Sequence, residues 1–162
     1  MEKIIYIPAP KEIKLFFEDL FAKKIEVETA PAFSYPFTTP TLVGSFIDSN
    51  SLEIKVLVVT DLPFACFAGG ALSMIPAAVV KEDIKENKVT PNILDNLKEI
   101  MNITLALCNR EFYAHLKLKD MFDSKSLPEE FTTLLQKKAA QVVAVEIEIA
   151  SYGKGKFALL AY

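Results

Sequence analysis

The sequence is short of the residues that metal centres and disulfide frameworks need. It holds two cysteines, Cys66 and Cys108, and a single histidine, His115. Neither cysteine belongs to a Cys-x-x-Cys pair or to a Cys/His pattern of zinc-ligand spacing, so no metal site and no disulfide is expected. Both lie in apolar stretches and read as reduced core thiols of a cytoplasmic protein. His115 sits in "YAHLKLKD", which alternates like a strand, and reads as a structural or solvated histidine rather than a catalytic one. There is no run of basic residues. Net charge is −3 and the pI is near 5.3, which gives no electrostatic reason to expect DNA or RNA as a partner.

Long uninterrupted hydrophobic runs are also missing. "LPFACFAGGALSMIPAAVV", 62–80, carries no charge, but Pro76 interrupts it and Gly69-Gly70 lies in its middle. The uninterrupted part, 62–75, is too short to cross a bilayer and suits a buried helix, so no membrane insertion is expected. The opening "MEKIIYIPAPKEIK" has mixed charge and only a brief apolar run, unlike a secretory signal.

What is present fits a single domain over residues 1–162 with a sizeable core. Hydrophobic residues make up 51% of the 162, and no repeat or linker breaks the chain. Pro10 can open a helix, and Ile13, Phe16, Phe17, Leu20 and Phe21 follow at helical spacing. Prolines 31, 36 and 40 predict an irregular or extended crossing over "EVETAPAFSYPFTTP". "TLVGSFID" and "LEIKVLVVT" read as a hairpin around "SNS". Thr60 or Asp61 then caps the apolar helix, with Pro63 in its first turn. "VVKEDIKENKV" is a charged connector, partly helical at most. Thr90-Pro91 starts the longest helical pattern, 91–112. A strand ("HLKLKDMF"), a short helix ("LPEEFTTLLQKKA") and a closing hairpin ("QVVAVEIEIA", "KFALLAY") complete the order. The fold class is α+β, an antiparallel β-sheet with packed helices.

At ~100° per residue, Ile93, Leu94, Leu97, Ile100, Met101, Leu105, Leu107 and Cys108 form the core side of the 91–112 pattern. Asp95, Glu99, Asn102, Ala106 and Asn109 form a narrow stripe opposite, continued by Arg110. One reading is a solvated helix face. The other is a site, because such a face more often carries Lys/Glu pairs and Asn is a poor residue for a helix interior. A neutral amide both donates and accepts, so Asn102 can hold a water in a fixed orientation. Glu99, one turn away, can grip a cation or a lysine. Ala106 is small and leaves room beside Asn102. The pair suits phosphoryl transfer, which relies on positioning and charge stabilisation. Two acids would repel a bare phosphate, so a compensating cation would come with the partner.

The Glu-x-x-Asn pair preceded by Asp, "DNLKEIMN", resembles the signature of the CheC/CheX/FliY phosphatases. The order of hairpin, small-residue helix, polar connector, motif helix and further strands is similar to the whole CheX-like domain. The resemblance covers 40–162, with the first helix included. It implies a CheC/CheX-like fold and hydrolysis of the aspartyl phosphate of a CheY-type response-regulator receiver, in chemotaxis or a related two-component pathway. Asn102 would orient the attacking water and Glu99 would pair with a receiver lysine. Asp95 would support the docking surface. Mg²⁺ would sit on the partner receiver, not on this chain. Only one Glu-x-x-Asn occurs, which matches the single-motif, CheX-like branch and implies a homodimer. Met101 stands where the family usually has glycine, and "PAFSYPFTTP" has no counterpart in the pattern. The other implied activity is that of a binding module that docks a receiver or signalling partner without turnover.

Overall fold

The structure is a computed structural model and describes residues 2–162. Five helices and six strands follow in the order α1 (Pro10–Phe21), β1 (Ile25–Thr29), β2 (Thr41–Asp48), β3 (Ile54–Asp61), α2 (Leu62–Ser73), α3 (Ala77–Lys85), α4 (Pro91–Thr104), β4 (Leu116–Asp123), α5 (Glu129–Leu135), β5 (Gln141–Ile149) and β6 (Gly153–Ala161). The strands form one antiparallel sheet in the order β1-β5-β6-β3-β2-β4. The fold is α+β, as the sequence predicts.

At β2 and β3 both faces of the sheet are covered, and this explains the sequences of those strands. Along β2 and β3 every residue is buried or half-buried, without the in–out alternation of a sheet exposed on one side. On one face, Val56, Val58, Phe157 and Leu159 pack beneath α1, α2 and α4. Phe17 of α1 joins this layer through Phe64 of α2 and Phe157 of β6, at centroid distances of 5.7 and 5.8 Å. On the other face, Val43, Leu57, Val59 and Ala158 are covered by Phe131 of α5 and by Phe33 and Phe37. The crossing at 31–40 therefore has a role: it is a strap over the second face.

The junction between β3 and α2 has no loop. Asp61 ends the strand and caps the helix, its Oδ1 accepting from the Phe64 N–H at 2.9 Å. Of the two candidate caps, Asp61 serves. The same oxygen accepts from the Lys156 N–H of β6 at 3.1 Å. The helix lies so close to β6 that a Cβ on Gly155 would run into the Phe64 backbone.

The structure departs from the sequence expectations in three places. Ile25–Thr29 is an edge strand paired with β5, not part of the irregular crossing. The connector "VVKEDIKENKV" is largely helical, as α3, anchored by the buried Val80. The long helix stops at Thr104 rather than running to 112. Beyond it, 105–107 form a 3-10 turn, and the Thr104 hydroxyl donates back to the Ile100 carbonyl at 2.7 Å. Helix α2 (Leu62–Ser73) is a buried core helix, and among the described residues no helix is long and apolar enough to cross a membrane.

Two predictions follow from this packing. Gly155→Ala gains about 0.4–1 kcal/mol by restricting the unfolded chain but forces a methyl against helix backbone, at about 1–3 kcal/mol. The clash wins, so thermal unfolding should show a Tm lower by several degrees. Burial pushes the thiols of Cys66 and Cys108 up to about 12. A disulfide reagent at pH 8 should therefore label native protein far more slowly than urea-unfolded protein.

Candidate functional site

Thr90 caps α4, its hydroxyl accepting from the Ile93 N–H at 3.2 Å, and Pro91 sits at the first helical position. The inner side of the helix carries Ile93, Leu97, Ile100 and Met101, all buried. This side packs on α2 and β4. A Cβ on Gly69 of α2 would be in ordinary contact with Asn96, at 3.5 Å, so the two helices lie close together. Lys98 reaches across to Asp120 of β4 at 4.0 Å. The helix is thus held from below and from both flanks.

What remains outward is the polar line. Asp95, Glu99, Asn102 and Ala106 are all exposed. Asp95, Glu99 and Asn102 make no side-chain hydrogen bond or ion pair among the described residues. Glu99 and Asn102 are three residues apart on a regular helix, which makes them neighbours on one face. The arrangement offers a carboxylate and an amide with free hydrogen-bonding capacity, on a support that does not have to reorganise. That is the geometry in which a side chain can fix a water or receive a partner's cation.

Two members of the predicted stripe leave it. Asn109 lies beyond the helix and works as a clamp. Its Nδ2 donates to the Leu116 carbonyl at 3.0 Å, and its Oδ1 accepts from the Leu116 N–H at 2.8 Å. The amide takes up both backbone groups of Leu116, the first residue of the edge strand β4. Arg110 turns to the N-terminal segment. It pairs with Glu12 at 3.0 Å and lies over the Tyr6 ring at 5.3 Å. The Tyr6 hydroxyl donates to the same carboxylate at 2.7 Å, and this bond is the main reason that Glu12 is held below the usual carboxylate range. Ala106 stays exposed but sits on the 3-10 turn, not on the helix.

Met101 points the other way. It is fully buried among the core residues of α4, so its side chain does not crowd Asn102. The sequence reading placed Ile103 on neither side of the helix. It is 40% exposed, next to Asn102 and one turn after Glu99, and adds apolar area to the polar line. Its hint in the sequence is an isoleucine off the core stripe. His115 is exposed, as a solvated histidine should be. Among the described residues no group of three or more His, Cys, Asp or Glu is placed to hold a metal ion.

No family model matches the chain, and no curated protein matches it in sequence. Solved structures do match in fold. Thermotoga maritima FliY is 12% identical, with 95% of this chain and 84% of that one covered and a TM-score of 0.58. The FliM of a FliM–SpeE complex from H. pylori is 11% identical, with 94% and 80% covered and a TM-score of 0.62. The CheX–CheY–BeF3–Mg complex from Borrelia burgdorferi gives 12% identity, 93% and 92% coverage and a TM-score of 0.47. The chain has the fold of FliY, as "DNLKEIMN" and the element order predict, and shares it with the FliM middle domain.

Proposed function

We propose that the protein hydrolyses the aspartyl phosphate of a CheY-type receiver domain. The observation that carries this reading is the exposed, unpartnered Glu99–Asn102 pair on a helix whose inner face is locked in the core. Asn102 holds the attacking water by its amide and aims it in line at the phosphorus. Glu99 pairs with a lysine of the receiver and so fixes the two proteins in register. Asp95 and Ala106 belong to the docking surface. Ala106 gives clearance beside Asn102, and Ile103 provides an apolar contact. Mg²⁺ on the receiver offsets the charge developing on the phosphoryl oxygens, and this chain supplies positioning. The same reading makes the protein a cytoplasmic homodimer formed by one domain over 1–162.

A second reading keeps the fold and drops the chemistry. The FliM that shares this fold is found in complex with SpeE. A docking module would use the same α4 face to hold a receiver or another signalling protein without turnover.

Loss of phosphate from a panel of the source organism's phosphorylated receivers separates the two. Hydrolysis predicts faster loss with at least one of them, and Asn102→Ala or Glu99→Ala should each reduce the acceleration by about tenfold or more. No acceleration with any receiver sinks the enzymatic reading, and stable binding to one with an unchanged phosphate lifetime supports the docking reading.

Both substitutions should leave the fold intact. The side chains are exposed and unpartnered, and alanine is the better helix former by up to about 0.7 kcal/mol. Urea unfolding of Asn102→Ala should therefore show equal or slightly higher stability than the parent. A clear loss would mean that Asn102 is structural.

A further inference from the structure

The second face of the sheet has a groove that the proposed reaction does not use. It lies between the β2–β3 turn and α5, on the side of the sheet away from α4. Phe131 anchors α5 in the second core, and Leu134 packs beside it. Between the helix and the turn is a cavity of about 500 Å³, lined by Leu52, Glu53, Ile54, Glu129, Glu130, Thr133 and Leu134. Leu52, Ile54 and Leu134 give it an apolar floor. All three of its ionisable lining residues are acids.

Two details make this more than uneven surface. Lys55 is adjacent in sequence, but its ammonium is held by Glu2 at 2.8 Å and by Glu53 at 3.2 Å, with the side chain only 17% exposed. The carboxylates of Glu129 and Glu130 have no hydrogen bond or ion pair among the described residues. Their place in the first turn of α5 favours the helix, which accounts for the acids taken alone. It does not account for Leu52. That residue has φ +63°, a conformation that suits glycine or asparagine, and its side chain is 63% exposed. The chain therefore carries a branched apolar side chain at a strained turn, with little burial in return, on the wall of an acid-rimmed groove.

We propose that this groove docks a basic amphipathic segment of a partner protein, one that presents leucine-like side chains flanked by lysine or arginine. The apolar floor takes the aliphatic side chains, and the unpaired Glu129 and Glu130 face the cations, while Glu53 is already paired with Lys55. The uniform negative rim disfavours acidic peptides, nucleic acids and anionic lipid headgroups. Because the groove and the Glu99–Asn102 face lie on opposite sides of the sheet, its occupant leaves that face open. The partner can tether the protein while α4 engages a receiver.

The test is fluorescence anisotropy with a fluorescein-labelled amphipathic peptide built of leucine and lysine. The expected result is saturable binding that weakens by about tenfold or more in Glu129→Lys/Glu130→Lys and measurably in Leu52→Gly, which removes the side chain and relieves the turn. Glu26→Lys/Glu28→Lys, on the separate acidic surface of β1 and β5, should bind like the parent. The same peptide with glutamate in place of lysine should not bind. Absence of saturable binding overturns the proposal, as does an equal loss in the β1 double variant, which would show attraction to net charge alone.

Discussion

One half-buried carboxylate sets the position of most of the helical layer. Asp61 ends β3, begins α2 and reaches β6, accepting from the Phe64 and Lys156 N–H groups through one oxygen. Burial pushes its carboxyl above the ordinary range, and the two N–H donors act against that shift. With no loop between strand and helix, the first turn of α2 has a single seat, directly over Gly155. Helix α4 rests on α2 in turn, with Asn96 over Gly69. The exposed pair on α4 is thus located by a chain of contacts that starts at the cap of another helix.

The sequence disclosed what local signals specify. The β2–β3 and β5–β6 hairpins, the proline-opened starts of α1 and α4 and the apolar helix all stand where turn chemistry and periodicity put them. Strand β1 escaped because only Ile25 and Val27 of its five residues face the core, and the prolines that follow dominate the local composition. Helix α3 escaped because its apolar anchor is a single buried valine within a charged run. The outward polar line was legible in type and spacing at Asp95, Glu99 and Asn102, all of which the helix leaves exposed. It was misjudged at Asn109, since an amide clamping Leu116 from beyond the helix looks in sequence like one more polar residue on the same face. Helical periodicity does not reveal where a helix stops when the 3-10 turn after it keeps Leu105 and Leu107 buried.

Matches at 10–12% identity with the same architecture show how little of the fold depends on particular side chains. Strands buried on both faces, as β2 and β3 are, need continuous apolar sequence, and many sequences meet that need. The strap at 31–40 is one local solution to covering the second face: Phe33, Tyr35 and Phe37 form a ladder of edge-on rings at 6.3 and 5.4 Å, and Phe33 and Phe37 pack on Val43, Leu57 and Val59. The shared part of these proteins is therefore the pattern of buried and outward positions, not the side chains that fill them.

Met101 and Asn102 make that division concrete. They are consecutive, yet about 100° of helical rotation puts one in the interior and the other in water. The two positions obey different alphabets. Positions 93, 97, 100 and 101 accept only residues that fill a fixed volume. Positions 95, 99, 102 and 106 answer to no neighbour within the chain. For protein engineering, this turns α4 and the turn behind it into a writable surface: a combinatorial library over those four outward positions can explore recognition while every member inherits the same scaffold.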